Sequence, residues 1–141
     1  MKILQVISGS YPPNEGVGSH VYSMSKLLVD EGHDVTVVIR RHDIKKIKQI
    51  NDHGINYILI PIINIPFIST ILFGKALKNK FKDVFFDIVH FHSPLVPFVK
   101  LNSKKHILTI HSTMKVDTSF INSSSAFPVT NTSSFSDIIY L

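Results

Sequence analysis

The chain has 141 residues, a formal net charge of +5, 44% hydrophobic and 18% charged residues, and no cysteine. This size and composition are typical of one globular domain that buries its own core, and they disfavour a disordered chain. The lack of cysteine excludes disulfides, thiolate metal sites and a cysteine nucleophile. A strand-length run and then prolines follow Met1, where a secretory signal would need an apolar core, so we expect a cytoplasmic protein.

The first forty residues predict a strand, a glycine-bearing loop, a helix and a second strand. Residues 2–8 are almost continuously apolar and residues 35–39 are rich in β-branched residues, as in strands buried on both faces. Ser19 is the expected N-cap of the helix, and Gly32 is the expected residue that ends it. The apolar residues of the helix fall at helical spacing: Val21, Met24, Leu27 and Leu28.

This order predicts a right-handed βαβ unit with parallel strands. The loop after the first strand then lies at the carboxyl edge of the sheet, where such sheets bind ligands. Gly16 and Gly18 would let backbone amides at the helix start approach a phosphate or carboxylate closely. The alternative is that these glycines only turn the chain, as at many junctions of a strand and a helix.

The next segment predicts a short helix and a third strand. Residues 42–53 carry isoleucines at three-residue spacing among lysines, which favours an amphipathic helix that ends near Gly54. Residues 55–60 predict the strand. The uncharged stretch 54–74 is long enough to cross a bilayer, but its two prolines favour a strand, a loop and a helix start instead. Its apolar loop, residues 62–67, is a candidate for contact with a membrane surface or a partner.

Residues 70–81 predict a crossover helix, because apolar residues recur at helical spacing among lysines. The lysines in and just after this segment are Lys75, Lys78, Lys80 and Lys82. They either solvate an outer helix face or, with loop 62–67, attract the chain to the anionic inner face of a membrane. No nucleic-acid-binding motif accompanies them, so we expect no nucleic acid partner.

Two further strands end in histidine. Residues 87–92 predict a fourth strand that ends in His92, immediately before Ser93, and we expect His90 and His92 to point to opposite faces of it. Residues 105–111 repeat the arrangement.

Three strands of one parallel sheet therefore bring polar groups to a common edge. The candidate residues there are Gly16, Gly18, His92, Ser93, His111, Ser112 and Thr113. Imidazoles, hydroxyls and free amides suit sugar hydroxyls and phosphate, and there is no carboxylate cluster of the kind that holds a metal.

The motifs together resemble the N-terminal domain of family 4 glycosyltransferases. The matching runs are Tyr11-Pro12-Pro13, Gly16-Val17-Gly18-Ser19-His20, Gly32-His33-Asp34-Val35-Thr36-Val37, Asp87-Ile88-Val89-His90-Phe91-His92-Ser93-Pro94 and Thr109-Ile110-His111-Ser112-Thr113. The resemblance implies one Rossmann-like half of a GT-B enzyme, with a parallel sheet of about six strands flanked by helices. It also implies a retaining, metal-independent transfer that needs no cofactor, from a nucleotide-sugar to a sugar or lipid-linked acceptor.

The resemblance assigns roles to individual residues. Gly16 and Gly18 would lie beside the donor diphosphate and the acceptor, and His20 would face the acceptor. His111 would sit against the transferred sugar and is the candidate catalytic residue. The sequence departs from the family where Ser112 follows this histidine, since a glycine is frequent there.

In this family a second Rossmann-like domain holds most of the nucleotide-sugar, and none follows here. The chain therefore resembles a truncated or split product, and we expect it to be inactive without a donor-binding domain or subunit. We divide it into a Rossmann-like domain over residues 1–117 and a polar segment with an incomplete last strand and helix over residues 118–141.

Three functional classes stay open. The first is the acceptor-side half of a glycosyltransferase, as a fragment or as a subunit of a split enzyme. The second is a non-catalytic module that binds a sugar or a membrane. The third, a dinucleotide-binding oxidoreductase domain, is disfavoured because prolines interrupt the glycine turn and Arg40-Arg41 stands where an acidic ribose-binding residue belongs.

Overall fold

A computed structural model describes residues 1–14, 16–93 and 96–111, together with the backbone of residues 137–140. Within these ranges the chain forms two helices and seven strands. Their bounds are β1 (Lys2–Ser8), α1 (Gly16–Asp30), β2 (Asp34–Arg41), β3 (Lys48–Asp52), β4 (Ile55–Pro61), α2 (Ile68–Phe81), β5 (Phe86–Ser93), β6 (Ser103–Ile110) and β7 (Asp137–Tyr140). No helix in this described part is long and apolar enough to cross a membrane.

The strands form one sheet in the order β3-β4-β2-β1-β5-β6-β7. The five strands from β4 to β6 run parallel, whereas β3 and β7 pair antiparallel with their neighbours at the two edges. The predicted α/β class is confirmed, and the first strand lies in the middle of the sheet. Parallel order places the carboxyl ends of β2, β1, β5 and β6 at one edge of the sheet.

Helices cover both faces of the sheet, and the strands alternate their side chains between two cores. On β1, Leu4 and Val6 join the core under α2, whereas Ile7 joins the core under α1. Phe73 and Leu77 of α2 are fully buried, and each such side chain contributes roughly 1.5–3 kcal/mol to folding. Both cores together hold the sheet edge in place.

The helix predicted over residues 42–53 is wrong. The second half of this segment is strand β3, and a two-residue turn at His53 and Gly54 folds it back onto β4. Both turn residues have positive φ, 50° and 80°, as hairpin turns of this length require. Ile50 packs against the core under α1 while Ile47 is 48% exposed, so the isoleucine spacing does not mark a helix face.

Helix α1 begins at Gly16, so Ser19 lies inside the helix and the prediction of Ser19 as N-cap is wrong. Its buried face contains Val21, as expected, and also Ser25. Leu27 is 67% exposed and does not belong to that face. The face that packs on the sheet is therefore narrower and more polar than the apolar spacing suggests.

The last strand, β7, pairs antiparallel with β6 at positions 137–140, where the resemblance suggested the start of a helix. The rest of the segment 118–141 lies outside the described residues. The division of the chain at residue 117 therefore stays a prediction.

Candidate functional site

The expectation that His90 and His92 point to opposite faces of their strand is wrong. Residues two apart in a strand share a face, and here the two ring centroids are 3.9 Å apart. Val89 and Phe91 fill the core under α2. Both histidines consequently lie on the α1 side of the sheet.

A chain of hydrogen bonds links helix α1 to the carboxyl edge of the sheet. Gln5 Nε2 donates to Ser25 Oγ at 3.0 Å, and Gln5 Oε1 lies 2.8 Å from His92 Nε2. On the other side of the same ring, His92 Nδ1 lies 3.1 Å from His111 Nε2. Three strands and one helix thus contribute to one network, which fixes the position of His111.

The network also assigns the protons of the two imidazoles. Because the amide nitrogen of Gln5 is used by Ser25, its oxygen faces His92 and accepts the Nε2–H of that ring. His92 Nδ1 is then an acceptor, so His111 donates its Nε2–H to it. In neutral His111 this leaves Nδ1 as the nitrogen with a free lone pair, which can accept a hydrogen bond from a hydroxyl.

Burial keeps these imidazoles uncharged at neutral pH. Desolvation, assisted by the neighbouring histidines, lowers the pKa of His92 to about 2. The same cause lowers the pKa of His90 to about 4, and this ring bonds to Thr109 Oγ1 at 2.7 Å. Burial also lowers the pKa of His111, with His20 as a second cause. The cluster therefore offers neutral polar atoms, suited to sugar hydroxyls.

His20 brings the start of helix α1 into the same cluster. Its ring centroid lies 5.3 Å from that of His111 and 6.3 Å from that of His92. The stacked rings of His92 and His111 are 5.4 Å apart. The prediction that His92 and His111 share one edge with the start of α1 is confirmed in this geometry.

Gly16 and Gly18 occupy the first turn of α1, next to His20. Neither is among the residues with positive φ, and a Cβ on Gly16 would meet no atom within 4 Å. The turn itself therefore does not require glycine at position 16. The first backbone amides of a helix have no acceptor within the helix, so the space beside Gly16 lets an anion approach them.

The other candidate residues are placed in part. Ser93 ends β5 and is half-buried, paired in register with Ile110. Ser112 and Thr113 lie outside the described residues. Within the described ranges, no three His, Asp or Glu side chains are arranged to hold a metal ion, and metal independence stays a prediction.

The sequence did not reveal Gln5, Ser25 or His90 as parts of the network. One signal was available, because Gln5 is the polar residue in the otherwise apolar core run of β1 and is fully buried. A buried amide needs hydrogen-bond partners, so such a residue points to a polar cluster beside it.

Comparison with known proteins agrees with this geometry. The model of Glycosyltransferase Family 4 matches residues 14–132. That range includes α1 with His20, the strand that carries His92, and His111. The chain belongs to glycosyltransferase family 4.

An uncharacterized glycosyltransferase from Methanocaldococcus jannaschii is 30% identical to the chain over 125 residues. The match covers 80% of this chain and 31% of that protein. The chain thus spans about a third of the length of this curated relative.

Proposed function

We propose that the chain is the acceptor-side half of a retaining glycosyltransferase of GT-B architecture. It would take part in moving a sugar from a nucleotide-sugar to a hydroxyl of an acceptor. The observation that carries the proposal is the convergence of His20, His92 and His111 at the carboxyl edge of the sheet, beside the first turn of α1. The family match supports the same type of reaction.

His111 is the proposed catalytic residue. Its Nε2–H is held by His92, so its Nδ1 can accept a hydrogen bond from a hydroxyl of the transferred sugar. A fixed, neutral hydrogen-bond acceptor such as Nδ1 contributes to catalysis because it is oriented before the sugar binds. His92 and Gln5 act through His111 as positioning residues, and His20 would contact the acceptor from the other side.

Gly16 and Gly18 are proposed to lie against the donor diphosphate, where the amides at the start of α1 would face the charge that develops on the leaving group. Most of the donor would be held by a second Rossmann-like unit, on this or another polypeptide. The match to less than a third of a longer glycosyltransferase supports that arrangement. No metal or cofactor is part of the proposal.

A chimaera tests the function. The 141-residue chain would replace the matching segment of the Methanocaldococcus jannaschii glycosyltransferase, and a panel of nucleotide-sugars would be assayed for release of nucleoside diphosphate. We expect turnover with a donor and a sugar acceptor, and a product with the donor's anomeric configuration by proton NMR. His111→Ala should lower turnover at least about 100-fold, the loss typical for one preorganised polar group.

His33→Gln is the matched control, because His33 precedes β2 at the opposite edge of the sheet, and it should leave turnover unchanged. A folded chimaera without turnover, or one that is indifferent to His111→Ala, would contradict the proposal.

A second candidate function, contact with a membrane surface, is favoured by the loop before α2. Phe67 is 80% exposed and Ile63 is 55% exposed, both in the loop predicted to make such contact. On α2, the exposed Ile68 and Ile71 are followed at helical spacing by exposed lysines. We propose that this face docks on anionic lipid, with apolar side chains inserted shallowly and lysines at the level of the headgroups.

A further inference from the structure

Besides the histidine cluster, the carboxyl edge of the sheet carries a cleft, which lies on the opposite side of β1 from the histidines. Its volume is about 410 Å³, within the range of small-molecule sites. Its lining includes Ser8, Gly9, Arg40, Arg41, His42 and Asn64. These residues come from three segments, which are the ends of β1 and β2 and the loop before α2. The lining is basic, and none of the described residues that form it is acidic.

Arg40 is the fixed cation of this cleft. Its guanidinium donates from Nη2 to Ser8 Oγ at 2.9 Å and from Nη1 to Ser69 Oγ at 3.2 Å. The two hydroxyls attach the side chain to the end of β1 and to α2, so it is oriented before any ligand binds. These bonds use two of the five N–H groups of a guanidinium.

Among the described residues, no carboxylate forms an ion pair with Arg40. The ion pairs found in the described part of the chain involve Arg41, His53, Lys82 and Lys104, and none involves Arg40. Burial lowers the pKa of its guanidinium, which reflects the cost of holding this charge partly away from water. A half-buried cation without a carboxylate is stabilised by any anion that enters the cleft.

The neighbouring Arg41 differs from Arg40. It donates to both carboxylate oxygens of Asp43, at 2.7 Å and 2.6 Å, so its charge is largely compensated. Arg40 therefore dominates the cleft, and Arg41 adds a weaker positive field. Polar side chains from three directions suit the tetrahedral oxygens of a phosphate better than the planar edge of a carboxylate.

We propose that this cleft binds a phosphate group carried by the acceptor, with the Arg40 guanidinium as its principal ligand. The proposal rests on the acceptor-side function proposed above and narrows its substrate to a phosphorylated acceptor. The cleft and the histidine cluster lie at the same sheet edge with the end of β1 between them. A phosphate held at Arg40 would therefore place another part of the same molecule towards His20 and His111.

Titration of the 15N-labelled chain with sodium phosphate, followed by NMR at constant ionic strength with sodium chloride as reference, tests the site. We expect saturable shifts of the Arg40 Nε–H signal and of the Ser8 and Gly9 amides. Arg40→Gln should weaken phosphate binding at least tenfold. Lys45→Gln removes the same charge from an exposed position outside the cleft and should change the affinity less than twofold.

Asn64→Asp covers the case in which loss of Arg40 disturbs folding. Asn64 is exposed on the loop, so a carboxylate there should leave the fold intact while repelling phosphate from the cleft. The proposal would be overturned by chemical-shift changes that rise linearly with phosphate concentration, that appear equally with chloride, or that persist in the Asn64→Asp variant. Stronger binding of acetate than of phosphate would overturn it as well.

Titrations with further ligands identify the kind of molecule that carries the phosphate. Tighter binding of glucose 1-phosphate than of phosphate and of glucose indicates a soluble acceptor, whereas shifts at Arg40 with phosphatidic acid vesicles alone indicate a lipid. Binding of UDP at Arg40 in preference to both would assign the cleft to the donor and overturn the proposal. None of these readouts needs sugar transfer, so loss of phosphate binding with an active chimaera rejects this inference and leaves the proposed function standing.

Discussion

His92 is fully buried, and hydrogen-bond partners hold it at both ring nitrogens, Gln5 on one side and His111 on the other. A second buried imidazole, His90, lies against it. Both are neutral in the folded chain. Neutral rings keep the network intact, because a proton on His92 Nδ1 would leave two N–H donors facing each other across the bond to His111.

These two histidines predict how stability depends on pH. In the unfolded chain their pKa values return to about 6.5, whereas in the folded chain they are about 2 for His92 and about 4 for His90. Below pH 6.5 the unfolded chain therefore takes up protons that the folded chain does not. The free energy of unfolding should be constant above this pH and should fall by on the order of 1 kcal/mol per pH unit for each ring below it.

Urea denaturation at pH 7.5, 6 and 5 measures this dependence. His90→Gln can still bond to Thr109 and should make the loss below pH 6.5 shallower. His42→Gln, at an exposed position, should leave the pH profile as it is. An unchanged urea midpoint down to pH 5 would show that the buried rings are not held neutral.

Tyr57 supports a second residue-scale prediction. It is 2% exposed, and its hydroxyl has no hydrogen-bond partner among the described residues. Its ring packs 4.7 Å from that of Tyr11. Removing an unpaired buried hydroxyl removes a desolvation cost, so Tyr57→Phe should leave stability unchanged or raise it by about 1 kcal/mol. Thermal denaturation checks this, and a clear loss of stability would mean that the hydroxyl is bonded.

The sequence predicted the histidines of the site but not what holds them. His92 and His111 could be found because each was predicted at the end of an apolar strand. Parallel strands of one sheet have their carboxyl ends at the same edge. Gln5 and Ser25 could not be paired with His92 in this way, because the register between β1, β5 and α1 depends on packing. That register is a tertiary property with no local signal.

At the scale of elements, the hairpin of β3 and β4 depends on its turn. Gly54 has φ of 80°, and a Cβ built on it would lie 2.8 Å from Val29 Cγ1. Gly54→Ala should therefore lower the free energy of unfolding by roughly 1–3 kcal/mol, through backbone strain and the clash with α1. Gly16→Ala is the matched control, since it meets no atom within 4 Å and should change stability by less than about 0.5 kcal/mol.

Chemical denaturation of both glycine variants gives the comparison. Equal losses of stability for the two variants would contradict the hairpin geometry.

The same turn explains why the sequence was misread over residues 42–53. A three-residue spacing of isoleucines fits a short helix, but the positive φ values at His53 and Gly54 close a hairpin, and pairing with β4 prevails over a weak helical pattern.

The loop before α2 predicts membrane binding. Phe67 has φ of 62° and is 80% exposed, so the chain holds an aromatic side chain outward at a cost in backbone strain. Phe67→Gly should relieve that strain and raise stability by roughly 1–2 kcal/mol, while weakening binding to vesicles. A structural role for this ring would instead lower stability. Phe85→Ser, at another exposed phenylalanine, is the control and should leave vesicle binding unchanged.

Lysines of α2 should supply the electrostatic part of that binding. Lys75 and Lys78 follow Ile71 by four and seven residues, so the three exposed side chains lie on the same face of α2. Neutralising both to glutamine should weaken sedimentation with anionic vesicles, and the effect should shrink in high salt. Neutralising Lys45 and Lys46 instead should have no effect. Equal binding to neutral and anionic vesicles, or none to either, would reject the electrostatic contribution.

At the scale of the whole molecule, the parallel architecture was predictable because apolar runs mark the buried strands and helices α1 and α2 mark two of the crossovers between them. The antiparallel edge strands were harder to predict from the sequence. Strand β3 is polar and half exposed, so its pattern resembles that of a solvated segment. Only pairing with β4 gives it a strand conformation, and pairing is a property of the assembled sheet.

The packing of the sheet also bears on what the chain can do alone. Both faces of the sheet are covered by buried cores, so the 141-residue chain should fold by itself.

A retaining transfer needs more than a fold, because the nucleotide-sugar must be fixed and its leaving diphosphate stabilised. Among the described residues, the groups at the histidine edge are neutral imidazoles and helix amides, which position hydroxyls but supply little charge. Transfer without a donor clamp should be slower by about 10⁵-fold or more, since orientation and electrostatic stabilisation each account for several powers of ten. We therefore expect no release of nucleoside diphosphate above background by the purified chain, measured alongside a circular dichroism melt that shows it to be folded. Steady turnover of any nucleotide-sugar by the chain alone, abolished by His111→Ala, would mean that the donor site lies within these residues.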